Sequence, residues 1–189
     1  GYLEEWRYHA TPSGSPQGGI VSPVLANVYL DRLDMFVESV LLPTYNRGDD
    51  RHPNTVYRSV LDRAAYLART GRTEEGRVLR QQAQRLPSRV LHDPHYRRLK
   101  YIRYADDFLL GFVGTRREAE DIKQQLAGYL QHQLRLELSA DKTLITHARS
   151  ATARFLGYDV TVMQDNRAHT NGRRSLNGVV SLRVPRDVL

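Results

Sequence analysis

The sequence predicts an α+β fold carrying a basic helical insertion, on three observations. Apolar residues recur at three- and four-residue steps over 22–42 and again over 118–134; two short β-forming runs flank Tyr104-Ala105-Asp106-Asp107-Phe108; and a polar, basic stretch separates the first helix from that hairpin. The order helix, strand, strand, helix, strand is most of a ferredoxin-like βαββαβ sandwich lacking its first strand.

In chain order, residues 6–10 read as a short extended segment and 11–19 as a small-residue loop. Val24, Leu25, Val28, Tyr29, Leu33, Phe36, Val37, Val40 and Leu41 mark the core-facing stripe of a helix over 22–42. After a turn-rich stretch, 54–69 and 73–86 read as two helices joined at Gly71. Their apolar positions, Val56, Val60, Ala64 and Leu67, are too sparse for a second core, so they read as an inserted helical hairpin. Residues 99–104 and 108–113, rich in Tyr, Ile, Phe, Val and Leu, read as strands, with Asp106 and Asp107 in the turn between them. Ala119, Ile122, Leu126, Tyr129, Leu130 and Leu134 mark the second amphipathic helix, with Glu118, Glu120 and Asp121 near its N-terminus, where the helix dipole favours anions. Residues 142–147 and 153–163 read as closing strands. The predicted organisation is 1–43 main domain, 44–95 basic insertion, 96–163 main domain again, and 164–189 an exit toward a further domain.

No uninterrupted apolar stretch reaches membrane-spanning length and the first residues lack a secretory pattern, so the chain reads as soluble and cytoplasmic. With no cysteine, disulfides, thiolate metal sites and cysteine nucleophiles are excluded. The absence of an initiator Met reads as a fragment or a processed chain. Net charge is +7, yet residues 44–103 hold 14 Lys or Arg against 6 Asp or Glu, so the basic excess lies wholly there. Such a field attracts polyanions, and a solvated helical surface is the competing reading. Of the 28 basic residues 25 are Arg, whose fork fits phosphate and whose plane stacks on bases, which favours RNA.

Asp106 and Asp107 are adjacent anions among apolar strands, a costly arrangement unless they are solvated, protonated or neutralised by cations. Mg²⁺ suits them, since it takes one or two carboxylates and completes its octahedron with water and phosphate oxygens. A plain surface turn is the alternative at this point.

The company of that turn narrows the choice. Ser13-Gly14-Ser15-Pro16-Gln17-Gly18-Gly19-Ile20-Val21-Ser22-Pro23, Arg103-Tyr104-Ala105-Asp106-Asp107-Phe108, Leu136-Glu137-Leu138-Ser139-Ala140-Asp141-Lys142-Thr143 and Phe155-Leu156-Gly157-Tyr158, in that order, resemble the reverse transcriptases of group II introns, the intron-encoded maturases. The resemblance implies a polymerase palm, two Mg²⁺ ions in the intact enzyme, deoxynucleoside triphosphates, an intron RNA template and a DNA primer, in a bacterial cytoplasm, with assistance to splicing. It assigns Asp106 and Asp107 to metal, Lys142 to protonation of pyrophosphate or counter-charge, Pro16, Gln17 and Gly18 to the nascent base pair and template, and Phe155, Leu156 and Gly157 to the primer terminus. Arg77, Arg80, Arg85, Arg98 and Arg103 are candidate RNA contacts, with ion pairing the competing role for Arg98 and Arg103. In the family another metal-binding aspartate lies on the first palm strand, which is not seen here. The chain is therefore expected to be catalytically incomplete, and to self-associate or depend on the absent segment. A noncatalytic RNA-binding maturase module, or a related enzyme of a defence or CRISPR-associated pathway, are the alternatives.

Overall fold

Two helices carry apolar rows at four-residue spacing, and these rows build the core. The computed structural model describes residues 2–10, 21–164, 169–170, 173–174 and 178–187. β1 (Tyr2–Glu4) and β2 (Arg7–His9) form a small antiparallel hairpin turned by left-handed Glu5 and Trp6. α1 (Ser22–Phe36) runs through a π-helical turn, Val37–Leu41, into α2 (Leu42–Tyr45). Pro43, which has no N–H to return to Ser39, gives the π turn a local cause. Leu33, Val37, Leu41 and Tyr45 are all buried. On a regular α-helix each four-residue step overshoots a full turn by about 40°, so this row would wind off the core. The wider π turn advances each residue less and brings Leu41 and Tyr45 back into line.

The inserted segment holds α3 (Thr55–Arg69) and α4 (Thr73–Gln84), close to the boundaries that apolar periodicity predicts. Their contact is built from small residues: a Cβ on buried Gly76 would stand 2.8 Å from the Ala64 carbonyl oxygen. The insertion closes on itself at a neck. Bridges pair Arg47 with Arg97 and Pro53 with Arg89. Asn54 caps α3 by accepting from the Val56 N–H at 3.1 Å and donates its amide to the Pro87 carbonyl at 2.8 Å. Buried Asp93 accepts from the backbone N–H groups of His52, 2.6 Å, and His95, 2.9 Å, while His52 Nδ1 lies 2.7 Å away.

β3 (Arg98–Tyr104) and β4 (Asp107–Val113) pair antiparallel, with Tyr104 opposite Asp107. Their two-residue period puts Leu99, Tyr101, Phe108, Leu110 and Phe112 on one face, packed into the core with α1 and α5 (Arg116–Gln133). α5 begins with a capping box: Thr115 Oγ1 accepts from the Glu118 N–H at 3.2 Å, and the Glu118 carboxylate accepts from the Thr115 N–H at 2.8 Å. The same carboxylate binds Arg97 and Arg47, tying helix, neck and hairpin together. Burial works to raise the Glu118 carboxyl; the Thr115 amide and Arg97 outweigh it, so it titrates below its ordinary value. Ile122, Leu126, Leu130 and Leu134 face the α1 row. Tyr29 donates to the Leu134 carbonyl, Tyr129 to that of Arg32, and Gln125 to Tyr45 Oη, so α5 runs antiparallel to α1.

β5 (Ala153–Phe155), β6 (Tyr158–Val162) and β9 (Val180–Arg183) form an antiparallel sheet of their own, and β7 (His169–Thr170) pairs with β8 (Arg173–Arg174). The architecture is α+β. Several expectations need correction. Residues 142–147 form no strand: the Thr143 N–H bonds back to Ser139 and its carbonyl accepts from Lys123 Nζ, so its ladder groups are taken locally. Residues 153–163 are a hairpin rather than one strand, broken where Leu156 and Gly157 are left-handed. Among the described residues this hairpin contacts β4 without joining the β3–β4 ladder, so the expected single sheet is not formed. Of the expected core-facing stripe, Val24, Leu25, Val28, Tyr29 and Val40 are exposed: the antiparallel contact with α5 ends near Tyr29, and Val40 lies off the buried Leu33–Val37–Leu41 row. No helix among the described residues is long and apolar enough to cross a membrane.

Leu33→Ala or Leu99→Ala should lower the unfolding free energy by about 2–5 kcal/mol in chemical denaturation, the cost of a cavity at a closed core site. The Asp93 carboxyl, stabilised first by the His52 amide, falls from 3.8 to about 2. A depressed carboxylate contributes stability that is present above its unfolded value and lost as pH falls through its folded one. Hydrogen-exchange protection of the His52 and His95 amides, corrected for intrinsic rates, should therefore persist at pH 4 and fall away toward about pH 2. Asp93→Asn should flatten that dependence.

Candidate functional site at the Asp106 turn

The β3–β4 register makes Ala105 and Asp106 the two turn residues; Asp107, expected in the turn with Asp106, is instead the first residue of β4, which begins one position earlier than expected. Ala105 is left-handed, φ +52°, the conformation tight hairpins require and Gly or Asn usually supplies. Asp106 and Asp107 are exposed, and neither carboxylate takes a hydrogen bond or ion pair from another described residue. Two neighbouring free carboxylates are a hard-oxygen donor set that fits Mg²⁺. They supply part of a shell: among the described residues no cluster of three or more acidic or imidazole groups is placed to hold a metal.

Arg103 stands beneath the turn, with its side chain 11% exposed. Its Nε and Nη2 fork onto Asp34 Oδ1 and Oδ2 at 2.8 and 2.5 Å, and its Nη1 donates to Asn27 Oδ1 at 3.0 Å and to the Ala105 carbonyl at 2.6 Å. Tyr101 Oη donates to Asp34 Oδ1 at 2.7 Å. The Arg103 guanidinium holds the Asp34 carboxyl below its ordinary value, and burial pushes the Tyr101 hydroxyl up. Sequence reasoning singled out neither Asp34 nor Asn27. Both lie some seventy residues from Arg103, where no local pattern signals a partner.

The other candidates fall into separate places. Lys142 is exposed in the loop after α5, with no described partner for its ammonium. Phe155 is half-buried at the end of β5, which contacts β4, and Leu156 and Gly157 form the following turn. Pro16, Gln17 and Gly18 lie outside the described residues, immediately before α1 in sequence. Arg77 pairs with Glu74, while Arg80 and Arg85 are exposed on α4 and just after it. Arg98 donates to the carbonyls of Arg47, Arg97 and Asp49 and lies over the Tyr96 ring at 4.6 Å, opposite no carboxylate.

The group II intron-encoded protein LtrA of Lactococcus lactis subsp. cremoris is 40% identical over 195 residues, 98% of this chain and 32% of that protein. The chain belongs to the family of group II intron-encoded proteins. The putative COX1/OXI3 intron 1 protein of Saccharomyces cerevisiae is 32% identical over 86% of the chain and 19% of its own length. Protein YkfC of Escherichia coli is 29% identical over 84% of the chain and 35% of its own length. The chain thus spans about a third or less of the length of these relatives. No family model and no solved structure matches it significantly.

Because the Asp106 and Asp107 carboxylates serve no contact within the described fold, Asp106→Asn and Asp107→Asn should each change unfolding free energy by less than about 0.5 kcal/mol. Asp34→Ala, which strands the largely buried Arg103 guanidinium, should cost about 2–3 kcal/mol in the same measurement.

Proposed function

We propose that this chain is the palm-bearing part of an RNA-directed DNA polymerase that copies intron RNA into DNA and assists its splicing. The observation that carries the reading is a pair of adjacent, exposed carboxylates on a hairpin turn, without a partner among the described residues, in a chain 40% identical to a group II intron-encoded protein. Asp106 is the more directly ligating group and Asp107 supports it. Mg²⁺ held there, as two ions in the intact enzyme, supplies acidification of the primer 3′ hydroxyl and charge stabilisation of the leaving pyrophosphate. The hydroxyl oxygen forms its bond to the α-phosphorus of a deoxynucleoside triphosphate as the bond to pyrophosphate breaks.

The remaining residues bind and orient. Gln17, with one donor and one acceptor edge, and the neighbouring Pro16 and Gly18 serve the nascent base pair and template, a role that rests on the family resemblance of their motif. The Phe155-Leu156-Gly157 turn supports the primer terminus, and contact of β5 with β4 supports placing it beside the Asp hairpin. Lys142, free of any described carboxylate, offers a proton or a counter-charge to departing pyrophosphate. Arg80 and Arg85, exposed and unpaired among the described residues, take RNA phosphates together with the rest of the basic insertion. Arg98 presents its cation from the neck, where carbonyl oxygens and the Tyr96 ring solvate it without cancelling its charge.

Primer extension by the full-length protein on an RNA template should drop more than about a hundredfold on Asp106→Ala, beyond what loss of an outer-shell partner costs. Unchanged extension would remove the metal assignment. Arg80→Glu with Arg85→Glu should weaken intron RNA binding and flatten its salt dependence while leaving extension on a short heterologous template near wild type; equal RNA affinity would confine the insertion to a structural part.

A further inference from the structure

Ala105 holds a left-handed backbone that a residue with a Cβ adopts only at a cost in free energy, so a contact outside the residue must stabilise it. The Arg103 Nη1 hydrogen bond to the Ala105 carbonyl is that contact. Arg103 is in turn fixed from the opposite side by both Asp34 oxygens and by Asn27. Asn27 and Asp34 lie about two turns apart on α1 and so share one face of that helix. A continuous line of hydrogen bonds therefore runs from α1 through one guanidinium to the peptide unit immediately before Asp106. Only a planar fork meets these acceptors in one orientation; a lysine ammonium reaches one or two of them.

We propose that Arg103, oriented by Asp34 and Asn27, is a positioning residue: it holds the Ala105 peptide left-handed and thereby aims the Asp106 and Asp107 carboxylates at a shared divalent ion. This rests on the metal-site reading above and deepens it. Side chains on consecutive residues of a strand point to opposite faces, so two adjacent carboxylates converge only where the backbone bends between them. The turn at Ala105 and Asp106 supplies the bend. Released from Arg103, Ala105 relaxes toward negative φ, and the turn loses the geometry that sets the directions of the two carboxylates.

The test is titration of the full-length protein with Mn²⁺, followed by electron paramagnetic resonance of the free ion, alongside hydrogen exchange. Arg103→Lys keeps the charge and loses the fork; Asp34→Asn keeps the shape and loses the charge. Each should raise the Mn²⁺ dissociation constant about tenfold, the scale on which orienting partners of metal ligands act, and speed exchange at residues 105–107. Exchange in the core helix α5 should stay unchanged, which reports an intact fold around the hairpin. Ala105→Gly added to Arg103→Lys should restore most of the lost affinity, because glycine takes the left-handed conformation without restraint. Affinity within about twofold of wild type in both single variants would overturn the proposal, as would a loss that Ala105→Gly leaves in place, the mark of a merely structural ion pair. Should Arg103→Lys unfold the hairpin, Asp34→Asn paired with Ala105→Gly carries the same test. Asp106→Asn separates the two readings: if it weakens Mn²⁺ binding and Arg103→Lys does not, only the positioning role falls, whereas no effect of Asp106→Asn removes the metal site itself.

Discussion

The β3–β4 hairpin must bury one face, and the rest of the site depends on that constraint. Leu99, Tyr101, Phe108, Leu110 and Phe112 enter the core shared by α1 and α5, which fixes the strand register, because a slip of one residue would turn all of them to solvent. The same period sends Lys100, Ile102, Tyr104 and Asp107 to the open face. Arg103 is the exception on the buried side. A guanidinium there is tolerable only with a carboxylate, which Asp34 provides from α1. Hydrophobic burial thus sets the register, and one paired charge at the end of the buried face sets the turn.

Electrostatics divides the molecule into groups that hold the fold and groups left available. Glu118 serves a helix cap, Arg97 and Arg47 at once, Asp93 gathers two backbone amides and an imidazole, and Asp34 anchors Arg103. Each of these carboxyls lies below its ordinary pKa, the signature of an anion stabilised by its own structure. Asp106, Asp107, Lys142, Arg80 and Arg85 make no such contact with described residues.

The insertion behaves as a unit with its own closure. α3 and α4 meet through Ala64 and Gly76, and the neck around Asn54 and Asp93 returns the chain beside its point of departure. The β3–β4 hairpin therefore follows α2 almost as though nothing intervened. Such an element can present an arginine-rich surface without disturbing the register on which the carboxylates depend.

The sequence by itself determined the α+β class, the two amphipathic helices, the inserted helical pair, the Asp-bearing hairpin and the family, because helical and strand periodicities and short motifs are local properties of neighbouring residues. It kept Asp107 in the turn, one residue too far, since strand propensity does not reveal which residue turns left-handed, and Ala105 has no composition that marks it. It read 142–147 as a strand because β-forming residues say nothing of a lysine on α5 that captures their carbonyl. The four-residue row from Leu33 to Tyr45 is visible as spacing, whereas the π turn that makes it one buried face is not. Only the tertiary structure decided that Arg103 belongs to Asp34 and Ala105, and that Val24, Leu25 and Val28 remain uncovered among the described residues. These outcomes depend on which distant groups the packed helices bring within hydrogen-bonding or van der Waals reach, and no local pattern encodes that distance.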